Sequence, residues 1–167
     1  TGFLYSSHRT YTYTRYCLDS SDTIGKTAAF ALPIINRLSE DPYGPFALVL
    51  TPTRELAYQI AEQFQAFGSS FSIKACVIVG GIDVLKQSLE LQNRPHIIIA
   101  TPGRLRSHLI QATPPDLSLA RFVVLDEADR LLGDSFASDL RVILKCCSNP
   151  LRQTLLFSAT MNEDVCD

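Results

Sequence analysis

Two short clusters of reactive residue types lie one hundred positions apart, each where the chain changes from one kind of element to another. Gly25-Lys26-Thr27 heads the helix-forming run Ala28-Ala29-Phe30. At a helix N-terminus the free amides attract phosphate oxygens, a lysine reaches the outer phosphates, and a hydroxyl reaches Mg2+. Asp126-Glu127-Ala128-Asp129 follows the apolar run Phe122–Leu125. A carboxylate at the tip of a buried strand can orient Mg2+ through its waters, and its neighbour can polarise a water that attacks phosphorus. Each cluster alone has a plain alternative: a chance helix start for the first, a macrodipole-stabilised acidic first turn for the second. Together they nominate Gly25, Lys26 and Thr27 for phosphate, Thr27 and Asp126 for metal, and Lys26, Asp126 and Glu127 for hydrolysis.

Three further groups follow β-rich runs: Pro52-Thr53-Arg54, Gly80-Gly81 and Thr101-Pro102-Gly103-Arg104. Hydroxyls, amides exposed beside glycine and arginines suit a sugar-phosphate backbone, and none of them implies base readout. Each alone reads as a capped turn; three on one expected edge, two with arginine, favour a polynucleotide. Ser158-Ala159-Thr160 ends a last apolar run, and its two hydroxyls can bond a carboxylate such as Asp129 and sense the nucleotide.

Near-continuous apolar runs at Phe46–Leu50, Ala75–Val79, His96–Ala100, Phe122–Leu125 and Thr154–Phe157 must position these groups. Such runs suit strands buried on both faces. Between them Arg54–Phe67, Val84–Gln92, Gly103–Gln111 and Phe136–Cys147 carry helical patterns; Leu56, Ile60, Phe64 and Phe67 paint one face of the first. Alternation of this kind gives an α/β domain, an open, mostly parallel sheet with helices on both faces. Pro33 predicts a bend or an early end in the helix after Thr27. His96 and His108 read as surface or cap histidines, and Cys146-Cys147 as packing. Tyr11–Tyr16 favours an extended conformation, open between a strand and an exposed arm.

Of 167 residues, 46% are hydrophobic and 19% charged, enough apolar material for one packed domain. The 15 Lys+Arg against 17 Asp+Glu leave a net charge of -2, which argues against a broadly basic binder. The five cysteines are scattered without CxxC pairs, which fits a reduced intracellular protein rather than a zinc site. No apolar run approaches the length of a membrane helix and no signal-peptide pattern is visible, so no membrane partner is expected.

Taken in order, LTPTRELAYQIAEQF, IVGG, IIIATPGRL, VVLDEADRLL and LLFSAT resemble the motifs of the first RecA-like domain of DEAD-box ATP-dependent RNA helicases. The resemblance runs from Gly25 to about Met161. It implies a RecA-like P-loop fold and ATP with Mg2+ at Lys26, Thr27, Asp126 and Glu127. It also implies RNA held by its backbone at Arg54, Gly81, Thr101 and Arg104, and coupling through Ser158 and Thr160. RLSEDPYG followed by AYQIAEQF is most similar to a nucleolar branch of small ribosomal subunit biogenesis, which implies a nuclear or nucleolar location and pre-ribosomal partners; a monomer is expected.

The chain departs from that family's pattern at one end and stops within it at the other. Asp22, Thr23 and Ile24 stand where the family's phosphate loop has Thr, Gly and Ser, and no glutamine precedes Gln59 to serve as an adenine-reading motif. A β-branched residue resists the positive φ that glycine permits, and a carboxylate near a triphosphate repels it. Residues 1–24 are therefore expected to be an atypical, poorly ordered segment, and 25–167 the first RecA-like domain. With the second domain absent, the expected activity alone is little or none; the alternative is an RNA- or partner-binding module with a defective nucleotide pocket.

Overall fold

A computed structural model describes residues 12–17 and 23–158, with side chains described over 25–158. Its strands are β1 (Thr12–Cys17), β2 (Ala47–Leu50), β3 (Ala75–Ile78), β4 (Ile97–Ala100), β5 (Phe122–Asp126) and β6 (Gln153–Ser158). They form one sheet in the order β1-β6-β5-β2-β4-β3, and every neighbouring pair is parallel. The helices are α1 (Thr23–Glu40), α2 (Arg54–Phe67), α3 (Val84–Gln92), α4 (Pro102–Leu109), α5 (Ala128–Leu131) and α6 (Asp134–Cys146).

Period-two alternation inside the strands builds two cores. Ala47, Val49, Ile97, Ile99, Val124 and Phe157 face α1 and α2, meeting Phe30, Ile34, Leu38, Ile60 and Phe64. Leu48, Leu50, Ile98, Ala100, Val123 and Leu125 face the other way, onto Leu91 of α3, Leu105 and Leu109 of α4, and Leu140 and Ile143 of α6. Strands covered by helices on both faces of a parallel sheet are apolar on both sides, which is why the inner runs do not alternate in polarity. Level register brings the strand tips to one rim: Leu50 sits beside both Ala100 and Leu125, Ile78 beside Ala100, and Asp126 beside Phe157.

Several expectations need correction. Gly25 does not open the first helix, because α1 already includes Thr23 and Ile24. Pro33 does not end it either, since α1 runs on to Glu40. Pro33 and Ala29 are both exposed, so water can satisfy the Ala29 carbonyl that proline leaves without a partner. Phe30, Ala31, Ile34, Ile35 and Leu38 meanwhile bury the opposite face on either side of it. His108 is no surface histidine: it is 1% exposed. The one-turn helix α5 begins only at Ala128, so of the acidic cluster Asp129 alone stands in a helical first turn. Of the N-terminal segment, Thr12–Cys17 pairs along β6, continuing the sheet by one edge strand; Asp22 lies outside the described residues.

Candidate nucleotide and nucleic-acid site

At the β5 tip Asp126 is 3% exposed, and Lys26 Nζ lies 2.9 Å from its Oδ1. The two clusters are thus adjacent. Burial pushes the Asp126 carboxyl above the usual aspartate range; Lys26 opposes this and Glu127 adds to it. Desolvation therefore outweighs the ion pair in setting the pKa of this carboxyl. The Asp126 carboxylate, held by Lys26 and beside the buried Thr27 hydroxyl on the first turns of α1, is an oxygen donor set that fits Mg2+ and its waters.

Glu127 adopts the left-handed region at φ 52° and ψ 52°, where a non-glycine residue costs about 1–2 kcal/mol. That conformation turns the chain sharply between β5 and α5. Arg130 Nη1 donates to Glu127 Oε2 at 2.7 Å and fixes its direction. Asp129 Oδ1 accepts from Ser158 Oγ at 2.7 Å, so the anticipated bond between these two residues exists and ties α5 to the β6 tip. Ala159 and Thr160 lie outside the described residues.

The other turns occupy the β2, β4 and β3 tips. Thr53 caps α2, its Oγ1 accepting from the Leu56 amide at 3.4 Å, which leaves the hydroxyl proton for another acceptor. Arg54 Nη1 donates to the Gly80 carbonyl at 3.2 Å across 26 positions of sequence. Gly81 has φ +80°, and a Cβ there would run into the Arg54 guanidinium. The Thr101 hydroxyl makes no cap bond to α4, Pro102 is buried in the first turn, and Ser107 Oγ donates to the Gly103 carbonyl at 2.9 Å. Arg104 Nη1 is buried without a hydrogen-bond partner. The turns nominated from sequence share one rim. Arg130 and Gln87 were not singled out from sequence: the Glu127–Arg130 spacing of three was a readable signal, whereas nothing in sequence links Gln87 to His108.

A model of the DEAD/DEAH box helicase family matches residues 11–167. The chain belongs to that family. It is 57% identical over 143 residues to DEAD-box ATP-dependent RNA helicase 36 of Arabidopsis thaliana, covering 84% of this chain and 29% of that one. It is 56% identical over 153 residues to the probable ATP-dependent RNA helicase DDX49 of Homo sapiens, covering 89% and 32%. The ATP-dependent RNA helicase DBP8 of Meyerozyma guilliermondii is 54% identical over 156 residues, covering 90% and 36%. Among solved structures, a DEAD box protein from Methanococcus jannaschii superposes with a TM-score of 0.80 at 35% identity, covering 93% of this chain and 41% of that one. The chain thus spans about a third of the curated helicases it matches. The α/β reading and the resemblance to a RecA-like helicase domain are both borne out. No helix among the described residues is long and apolar enough to cross a membrane.

Proposed function

We propose that this chain is the ATP- and RNA-binding N-terminal lobe of an ATP-dependent RNA helicase that hydrolyses ATP to remodel RNA when its whole length is present. The observation that carries the reading is the 2.9 Å approach of Lys26 to Asp126 on the rim that also bears the Arg54, Gly81 and Thr101–Arg104 turns. Lys26, Gly25 and Thr27 hold the phosphates of ATP, and Lys26 exchanges its contact with Asp126 for one with phosphate oxygen. Thr27 and Asp126 are the residues that would hold Mg2+. When bound, that ion supplies charge neutralisation at the phosphates. Glu127, aimed by Arg130, polarises the attacking water and takes its proton. Pro52, Thr53, Arg54, Gly80, Gly81, Thr101, Pro102, Gly103 and Arg104 line the RNA backbone; the exposed Arg54 and the Thr53 hydroxyl proton support this. Ser158, through Asp129, links the nucleotide rim to the end of β6, and Ala159 and Thr160 continue that coupling segment.

Calorimetry with Mg-ATP tests the nucleotide half. Binding that Lys26→Ala weakens at least about 10-fold supports the reading, on the scale of one lost charged contact. A chain that ignores ATP, while an Asp22→Thr, Thr23→Gly, Ile24→Ser version binds it, is instead an RNA- or partner-binding module with a defective pocket. Should the restored version fail as well, the nucleotide assignment is wrong. The segment similarity at Arg37–Gly44 and Ala57–Phe64 supports a nucleolar protein with pre-ribosomal partners; we take it to act as a monomer. Diffuse cytoplasmic fluorescence of a tagged full-length protein would count against that location.

A further inference from the structure

Behind the β3 and β4 turns lies a run of buried polar groups that no catalytic role uses. Gln87 of α3 and His108 of α4 are each 1% exposed. Gln87 Nε2 is 3.0 Å from the Val79 carbonyl, His108 Nε2 is 3.2 Å from Gln87 Oε1, and Ser88 Oγ is 3.3 Å from His108 Nδ1. A carbonyl can only accept, so the Gln87 atom facing Val79 is its amide nitrogen. Gln87 Oε1 then needs a donor, and only a protonated His108 Nε2 can be one. Nδ1 is left bare, to accept the Ser88 hydroxyl proton; the 3.5 Å approach of that hydroxyl to Gln111 Oε1 is the weaker option. Burial, followed by the charge of Arg104, holds the His108 pKa below its usual range, in keeping with a neutral ring.

Each end of this relay sits beside a nominated turn. Val79 precedes Gly80, whose carbonyl Arg54 holds at 3.2 Å. His108 stands one helical turn beyond Arg104, on the helix whose first turn carries Thr101–Gly103. An apolar filler would pack as well without burying polar groups, so a hydrogen-bonded relay here acts to fix position rather than to add stability.

We infer that Gln87 and His108 form a neutral, single-tautomer relay that sets the spacing between the glycine turn and the Thr101–Arg104 turn, making both of them positioning residues for RNA-backbone recognition. The inference rests on the proposal that those turns grip RNA.

The test uses the labelled 167-residue chain, NMR and a single-stranded oligouridylate. In the unaltered chain, ring nitrogen shifts should show His108 protonated at Nε2 and bare at Nδ1. His108→Phe should move the Gly80 and Gly81 amide signals, hasten their exchange and weaken oligouridylate binding about 5- to 10-fold, as for one lost buried hydrogen bond. His108→Gln, which keeps a donor at the position of Nε2, should stay within about 3-fold. A proton on Nδ1, or unmoved glycine amides in His108→Phe, overturns the relay. So does unchanged oligouridylate binding by His108→Phe when Arg54→Ala and Arg104→Ala both weaken it. If neither arginine variant weakens it, the RNA reading has failed, and the relay still stands or falls on the ring nitrogens and the glycine amides. If His108→Phe does not fold, the ring nitrogens of the unaltered chain and the His108→Gln variant decide.

Discussion

On the β5–β6 side of the rim, the buried Asp126 and the half-buried Lys26 spend their charge on each other, as Ser158 and Asp129 do with their hydrogen bond. On the β2–β4–β3 side, Arg54 and Gly81 face water and the Thr101 hydroxyl makes no cap bond. Its fixed points are backbone features: a carbonyl held by an arginine, a glycine at positive φ, and helix caps. On the proposed function, the contrast teaches how one rim would serve two kinds of phosphate chemistry. A compact polyphosphate needs concentrated, desolvated charge that a ligand must displace, whereas an extended backbone needs several weaker contacts held at the right spacing.

The largest expected effect tests the buried side. Lys26→Ala strands the Asp126 carboxylate and should cost about 3 kcal/mol, the low end for a broken buried pair because Lys26 keeps 13% of its side-chain exposure. Asp126→Asn should cost less than half as much, since the lysine can reach water along its flexible stem. Urea denaturation of both variants reads the difference, and equal costs would erase the asymmetry on which this side depends. Ser158→Ala should cost about 2 kcal/mol by removing a charge-assisted hydrogen bond, read in the same way.

Two smaller effects sharpen the open side. Gly81→Ala should lose about 1–2 kcal/mol through its positive φ and its collision with Arg54, while Gly80→Ala, with no atom within 4 Å of the added carbon, should stay within about 0.5 kcal/mol. Thermal melts of the two variants separate a conformational requirement from mere proximity to the site. Finally, His108 and His96 both have their pKa lowered, chiefly by burial and secondarily by Arg104 and Lys74 respectively. A lowered folded-state pKa means the unfolded chain binds more protons. The neutral forms therefore contribute fully above about pH 6.5, and stability falls as pH drops through the folded-state values, by at most about 1.4 kcal/mol per pH unit for each histidine. Asp126, whose pKa is raised, acts with the opposite sign, losing stability as pH rises through its folded-state value. The difference in slope between the unaltered chain and His108→Phe isolates the histidine; identical slopes would place its titration elsewhere.

Legibility in the sequence followed the range of the interactions. The bounds of α2 and α3 were readable from periodicity and capping residues alone, and Thr53 and Asp83 do cap them through their side chains. The inner strands were readable because burial on both faces leaves only apolar types. The five described turn groups were readable because strand tips in a parallel sheet share a direction. The early helix end allowed for at Pro33 does not occur, because the sheet holds α1 from the other side. His108 misled because its partners, Gln87 and Ser88, lie about twenty positions away on another helix.

The sequence by itself determined the α/β class, the parallel sheet and which residue types stand at its carboxyl rim, since these follow from local pattern and chain direction. Tertiary structure alone decided that Lys26 meets Asp126, that Glu127 turns through the left-handed region, and that a buried glutamine and histidine join two turns. The physical reason is that propensity acts between neighbours in sequence, whereas desolvation and hydrogen-bond pairing are fixed only when distant segments close around the same atoms.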